Sequence, residues 1–156
     1  MTFTRVVVAD DHPTLRLGIR VILERALDIS VVGEASDGVQ ALHLVKELAP
    51  DVLLLDMEMP GLTGVEVAQR LKAAGSPVRI LALSSYEDKP YVLGLLANGA
   101  LGYLLKEEAP EKIVAAVRGV ARGERHLVSQ RVAGEMATWD QEEKALGGID
   151  TNQIKS

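Results

Sequence analysis

The chain has 156 residues, enough for one core of ordinary size with a short appendage. Its formal charge is −5 and no Lys/Arg cluster interrupts it, so it lacks the basic footprint of a nucleic-acid-binding surface. It contains no cysteine, which excludes a disulfide, a thiol nucleophile and a thiolate metal site and leaves oxygen or imidazole for any metal. One Trp, three Tyr and one Phe are the only aromatics although apolar residues make up 47%, so the core must be built from Leu, Val, Ile and Ala, the composition of a parallel α/β sheet. The first residues reach Asp10-Asp11 too soon for a signal peptide, and no apolar run approaches the ~20 residues of a membrane span. A soluble, cytoplasmic protein without membrane contact is expected.

In chain order, Arg5 to Ala9 is an apolar first strand that ends on Asp10-Asp11. Pro13 suits the first turn of a helix carrying Leu15, Ile19, Ile22 and Ala26 at helical spacing. Ile29 to Ala35 reads as the second strand. Asp37 caps a second helix with Ala41, Leu42, Val45 and Leu48 on its apolar face, closed by Pro50. Val52 to Leu55 is the central strand; it stops on Asp56, and Pro60-Gly61 turns the chain just beyond. Thr63 caps a third helix with Val65, Ala68 and Leu71 inward, and Gly75-Ser76-Pro77 ends it. Arg79 to Leu83 is the fourth strand, running into Ser84-Ser85. A fourth helix starts near Pro90 and stops at Asn98-Gly99, a pair suited to a left-handed cap. Gly102 to Leu105 is the fifth strand, ending on Lys106, and Pro110 opens a fifth helix with Ile113, Val117, Val120 and Ala121 on one stripe.

Five strands alternating with five helices through short loops predict a doubly wound α/β fold, a parallel sheet covered on both faces. The pattern fills residues 4–123. Residues 124–156 read as a linker or tail, with a helical turn or two over Arg131 to Met136.

Under this strand assignment Asp10, Asp11, Asp56, Ser84 and Lys106 all stand at carboxyl ends of strands, the edge of an open parallel sheet where ligands bind. Three carboxylates this close stay ionised only with a cation, and the hard-oxygen choice with a sparse cage is Mg2+. A lysine supplies a point charge for a phosphoryl oxygen and a serine hydroxyl can donate to another. The set suits phosphoryl transfer to a carboxylate, which asks for positioning and charge neutralisation. Each residue also has a plainer reading. An isolated Asp after an apolar run ends a strand as often as it reacts, Lys106 alone would be a solvated strand-end lysine, and Tyr103 an amphipathic tyrosine packed on the sheet. His12 beside two acids is read as a helix-entry residue. His43 and His126 are read as surface or interface residues without acidic partners nearby in sequence, and Met57 and Met59 as space-fillers. Trp139 is an exposed aromatic in a polar tail.

The segments Val8-Ala-Asp-Asp-His-Pro13, Leu53-Leu-Leu-Asp-Met-Glu-Met-Pro-Gly61, Ala82-Leu-Ser84 and Gly99-Ala-Leu-Gly-Tyr-Leu-Leu-Lys106 resemble response-regulator receiver domains. The Asp-Asp-His-Pro start, the last of these blocks and Gly119-Val-Ala-Arg-Gly123 resemble the NarL/FixJ class, whose members usually carry a C-terminal LuxR-type helix-turn-helix. The resemblance implies a flavodoxin-like fold with strand order 2-1-3-4-5. It implies that Asp56 accepts a phosphoryl group from a sensor histidine kinase or a small acyl phosphate, and that Mg2+ is held by Asp11, Asp56 and the backbone carbonyl of Glu58, with Asp10 acting through water. Lys106 would contact the phosphoryl group, Ser84 would reorient toward it, and Tyr103 would switch between exposed and buried rotamers. The surface around the fourth helix, fifth strand and fifth helix would change, with phosphorylation-linked homodimers as a common output. Glu58 and Tyr86 occupy positions that resemble the family's lifetime-setting sites.

Such a protein is a switch that catalyses only its own phosphorylation and dephosphorylation, and DNA would be reached only through an effector domain. Nothing after Met136 resembles the Leu-Thr-x-Arg-Glu signature that opens such DNA-binding helices. Two other classes compete. A haloacid-dehalogenase-like phosphatase places a nucleophilic Asp at a strand end but needs Asp-x-Asp, where this chain has Glu58. A phosphorylation-independent docking receiver would look eroded at the acids and lysine, which are intact here.

Overall fold

Strands β1 (Thr4–Ala9), β3 (Val52–Asp56), β4 (Arg79–Ser84) and β5 (Gly102–Leu105) are buried along nearly their whole length, without the alternation of a half-exposed sheet. Such strands need helices on both faces, and a computed structural model of the chain has them. It describes residues 3–85, 89–125, 127–128, 134 and 137–138. Helices α2 (Gly38–Leu48), α3 (Gly64–Ala73) and α4 (Lys89–Ala97) cover one face, where Val45, Val67, Leu71 and Leu95 pack on Val7, Leu53, Leu55 and Tyr103. On the other face, α1 (Pro13–Glu24) and α5 (Ala109–Ala121) bring Ile19, Leu23, Ile113 and Val117 onto Val6, Val8, Leu54 and Leu81. Successive residues of β1 and β3 thus serve opposite cores, as the two-residue period of a strand requires.

All pairings are parallel and the sheet runs β2-β1-β3-β4-β5, with β2 (Ile29–Ala35) at one edge. The expected order 2-1-3-4-5 holds. At the opposite edge a sixth, two-residue strand, β6 (Leu127–Val128), pairs in parallel with Gly102 and Tyr103. It lies within the stretch expected to be linker: two residues are too few for any periodicity to register, and what draws them in is the open edge of β5. His126, Tyr86, Trp139 and most of Arg131 to Met136 lie outside the described residues. Gly134, within that stretch, is helical, as are Ala137 and Thr138. Among the described residues no helix is long and apolar enough to cross a membrane.

The helix starts follow local chemistry. Asp37 accepts the Gln40 N–H at 2.8 Å, and Thr63 and Glu66 form a reciprocal capping box at 3.1 and 3.3 Å. Gly64 leaves room for Met57 just beyond β3 where α3 begins, since a Cβ there would meet the Met57 sulfur and force that side chain to shift. The fourth helix ends at Gly99 with φ 93°, as Asn98-Gly99 predicts. The second helix ends less comfortably. Pro50 disfavours a right-handed helical conformation in the residue before it, and Ala49 caps the helix at φ 45°. The Arg5 guanidinium satisfies the freed carbonyls of Leu48 and Ala49 at 2.8 and 3.1 Å.

Ala49 is exposed and is the one described non-glycine residue with positive φ. Ala49→Gly is therefore expected to raise stability by about 0.5–1 kcal/mol, since relief of the left-handed strain exceeds the added entropy of the unfolded chain. Urea unfolding checks this, and a loss of stability would show that the cap is not strained.

Candidate functional site

At Asp10, Met57 and Lys106 the backbone is pinned to a neighbouring strand at the carboxyl ends of β1, β3 and β5. Asp10 N–H donates to Ala35 O at 2.9 Å, Met57 N–H to Leu83 O at 3.0 Å and Lys106 N–H to Ser84 O at 2.8 Å. These bonds bring the carboxyl ends of β1, β3, β4 and β5 to one level, so that Asp10, Asp11, Asp56, Ser84 and Lys106 converge as the strand assignment predicts.

Asp56 is 1% exposed. Its Oδ1 accepts the Glu58 N–H at 3.0 Å and lies 3.1 Å from Lys106 Nζ. Its Oδ2, together with Asp10 Oδ2, has no hydrogen-bond partner. One ligand atom from each of Asp10, Asp11, His12 and Asp56 fits within 4.8 Å of the others. Buried oxygens left unpaired at this spacing repel one another and suit a small hard cation. His12, read as a helix-entry residue, does precede the first turn of α1, and its backbone N–H donates to Asp10 Oδ1 at 2.8 Å. Its ring also reaches the cluster, with Nδ1 3.0 Å from Asp11 Oδ1, an ion pair when the ring is protonated.

The electrostatics follow from burial. Desolvation pushes the Asp56 carboxyl up to about 6, against the Glu58 N–H and Lys106, and the charge of Asp10 adds to the rise. For Lys106, burial acts downward, but the bonds to Glu58 and Asp56 outweigh it and hold the ammonium above its ordinary range. Burial likewise acts upward on Glu58, and the Ser85 N–H and Lys106 reverse it, so its carboxyl lies below the usual range.

Ser84 is the last residue of β4, buried, with its Oγ 3.3 Å from Glu58 Oε1. Ser85 is exposed and contributes its backbone N–H to the same oxygen at 2.9 Å. Tyr103 pairs in register with Ala82 and is fully buried in the core cluster under α4, so this structure holds its inward rotamer. Met57 and Met59 are buried fillers. His43 corrects the sequence reading: its Nε2 lies 2.9 Å from Glu47 Oε2, one helical turn away, so it does have an acidic neighbour.

Two features escaped the sequence reading. The Glu58 side chain turns into the site, its Oε2 3.1 Å from Lys106 Nζ, a contact that its resemblance to a lifetime-setting position did not specify. Arg16 donates to the Asp10 carbonyl at 2.6 Å and to Glu34 at 3.1 Å, tying α1 and β2 to the end of β1. The position of Arg16 in the first turn of the helix after Asp10 was its available signal. Beside the site, an open apolar groove of about 700 Å³ runs between α1 and α5, lined by Leu15, Ile19, Ile22, Pro110 and Ile113 and reaching Lys106.

A doubly wound parallel sheet carrying paired acids after β1, an acid after β3 and a lysine after β5 defines a signal-receiver type of domain. Comparison with known proteins agrees. Residues 6–118 match the response regulator receiver domain family. The chain is 37% identical over 149 residues to the nitrate/nitrite response regulator NarL of Escherichia coli K12, covering 96% of this chain and 68% of that protein. It is 40% identical over 120 residues to the transcriptional regulatory protein YxjL of Bacillus subtilis, covering 77% and 55%. Among solved structures, the signal receiver domain of NarL from Mycobacterium tuberculosis superposes with a TM-score of 0.77 at 42% identity, covering 80% of this chain and all of that one. A LuxR-family response regulator from Aurantimonas gives 0.84 at 31% identity, covering 89% and 99%. The chain belongs to the response regulator receiver family, in its NarL/LuxR branch. It spans just over half the length of YxjL and about two thirds of NarL.

The raised Asp56 carboxyl has a consequence for stability. Its folded value lies above the unfolded one, so the benefit of the neutral form is complete below the ordinary carboxylate range and lost as pH rises through about 6. Asparagine never ionises. In chelator, Asp56→Asn should be more stable than wild type by about 2 kcal/mol near about pH 8, the gap closing toward about pH 4. Urea unfolding across pH reads this, and a pH-independent gap would refute it.

Proposed function

We propose that this chain is the phosphoacceptor switch of a two-component system, with Asp56 as acceptor. The observation that carries the reading is the buried Asp56 carboxylate, with one oxygen held by Lys106 and the Glu58 N–H and the other left unpaired among Asp10 and Asp11. Asp10, Asp11 and Asp56, with the backbone carbonyl of Glu58, would hold Mg2+. Their unpaired hard oxygens fit that ion, and the three-carboxylate repulsion gives it a reason to bind. When bound, it neutralises charge on the carboxylates and on the phosphoryl oxygens.

In the transfer, an oxygen of the Asp56 carboxylate attacks phosphorus and forms a P–O bond. The P–N bond of a phosphohistidine breaks, its electron pair leaving with the imidazole; with an acyl phosphate, the P–O bond to the carboxylate breaks instead. Lys106 provides a fixed positive charge for the transferred group, and the Ser84 hydroxyl supplies a donor from β4. The Glu58 N–H on Oδ1 orients the attacking carboxylate. No proton needs to be removed from the nucleophile once Asp56 is ionised, which is why the site holds charges and donors and no dedicated base.

The partner is a sensor histidine kinase. The apolar groove between α1 and α5 opens beside Lys106 and supports docking of a donor protein at the site itself. Output passes through Ser84 and Tyr103, two rungs apart in the β4–β5 ladder, to the α4–β5–α5 surface, favouring homodimers. The receiver unit spans residues 4–123, with 124–156 leading toward a LuxR-type effector that contacts DNA in the whole protein; β6 extends the sheet into that connector. The chain works in the cytoplasm and turns over nothing but its own phosphoryl group.

Intact-mass spectrometry after incubation with acetyl phosphate and magnesium tests the reading. Wild type should gain one phosphoryl mass, and Asp56→Asn or magnesium-free wild type none. A folded wild type that gains nothing, or an Asp56→Asn variant that still gains it, would refute the assignment.

A further inference from the structure

Adjacent residues of an extended strand point to opposite faces, so Asp10 and Asp11 can address one point only if the chain leaves the strand path between them. The chain does bend at Asp11, and a carboxylate oxygen of each acid lies within 4.8 Å of the other. The peptide that joins the two acids carries the Asp10 carbonyl, one residue past β1. Arg16 donates to that carbonyl at 2.6 Å. Its Nε donates to Glu34 Oε1 at 3.1 Å, and Glu34, which stands on β2 in register with Val8, is held in turn by Arg20 at 2.6 Å. The Arg16 backbone N–H meanwhile closes the first turn of α1 on the His12 carbonyl at 2.9 Å.

We propose that Arg16 is a positioning residue for the divalent cation: its guanidinium, braced by Glu34, fixes the peptide between Asp10 and Asp11 so that both carboxylates face one ion. The inference rests on these acids holding Mg2+. Two observations carry it beyond a surface ion pair. The Asp10 N–H is tied to Ala35 O at 2.9 Å, its Oδ1 to the His12 N–H at 2.8 Å and its carbonyl to Arg16, which leaves Oδ2 free for the ion. Of these three ties, only the one to the carbonyl comes from a side chain. The brace is also balanced in charge, because Arg16 and Arg20 face Glu34 and Glu24, so the guanidinium steadies the acids without adding a net positive charge that would repel the cation.

The test titrates MgCl2 alone, with no phosphodonor, into isotope-labelled protein and follows the amide signals of Asp10, Asp11 and His12. Removing a hydrogen-bonded group that orients a metal ligand typically costs about 10- to 100-fold in affinity; this tie reaches the peptide and not the carboxylate, so Arg16→Met, which keeps an apolar stem without donors, should raise the Kd for Mg2+ about tenfold. Arg16→Lys offers one donor to the Asp10 carbonyl but lacks the fork that also holds Glu34, and should recover part of the loss. Arg118 grips Asp28 at 2.9 and 2.8 Å, next to the other end of β2, and Arg118→Ala, which removes a comparable helix-to-sheet ion pair, should leave the Kd unchanged. In metal-free Arg16→Met the Asp10 carbonyl carbon should move upfield as its hydrogen bond is lost. An Arg16→Met Kd equal to wild type overturns the positioning role, and so does a Kd raised as much by Arg118→Ala, or an unmoved Asp10 carbon. If Arg16→Met does not fold, Arg16→Lys decides the matter by a Kd above that of wild type or equal to it. Wild-type amides that do not respond to MgCl2 bring down the metal reading itself, and the role of Arg16 with it.

Discussion

Three carboxylates gathered at one edge of a sheet repel one another, and much of this domain is the apparatus that holds them there. Asp56 is buried and Asp10 is equally inaccessible, so neither can relieve the repulsion by turning to water. The protein supplies one ammonium, Lys106, and a few backbone N–H groups; the rest of the field is left open on the side where Asp10 Oδ2 and Asp56 Oδ2 are unpaired. Holding this arrangement requires a stiff frame. Parallel strands packed on both faces by branched aliphatic side chains provide it, and backbone hydrogen bonds that continue past the strand ends carry that stiffness into the site.

The division of labour inside the site follows from depth. The unpaired oxygens of Asp10 and Asp56 lie at the bottom, beside β1 and β3, where a cation can neutralise them. The donors of Lys106, Ser84 and Ser85 lie toward β4 and β5 and address anions. Asp56 stands between, with one oxygen turned to each side. A group added to Asp56 would therefore meet the carboxylates of Asp10 and Asp11 on one flank and hydrogen-bond donors on the other, and the donor flank belongs to the strands that carry Ser84 and Tyr103. Ser84 pairs with Leu105, and Ala82, two residues earlier in β4, pairs with Tyr103, so the buried tyrosine stands two rungs along the same ladder from the serine at the site.

Most of this frame was legible because it is written in short-range chemistry. Apolar runs ending on Asp10-Asp11, Asp56 and Lys106 announced both the strands and their functional ends, and Asp37, Thr63 and Gly99 marked helix termini that the structure reproduces. What escaped depends on contacts distant in sequence. The Arg5 guanidinium closing α2 is a bond across 43 residues, and the Glu58–Lys106 pair spans 48. The left-handed Ala49 was hidden because alanine carries no signal for positive φ; only Pro50 behind it hinted that the helix could not continue. The pairing of Leu127-Val128 with β5 was equally silent, since an open sheet edge recruits backbone rather than a side-chain pattern.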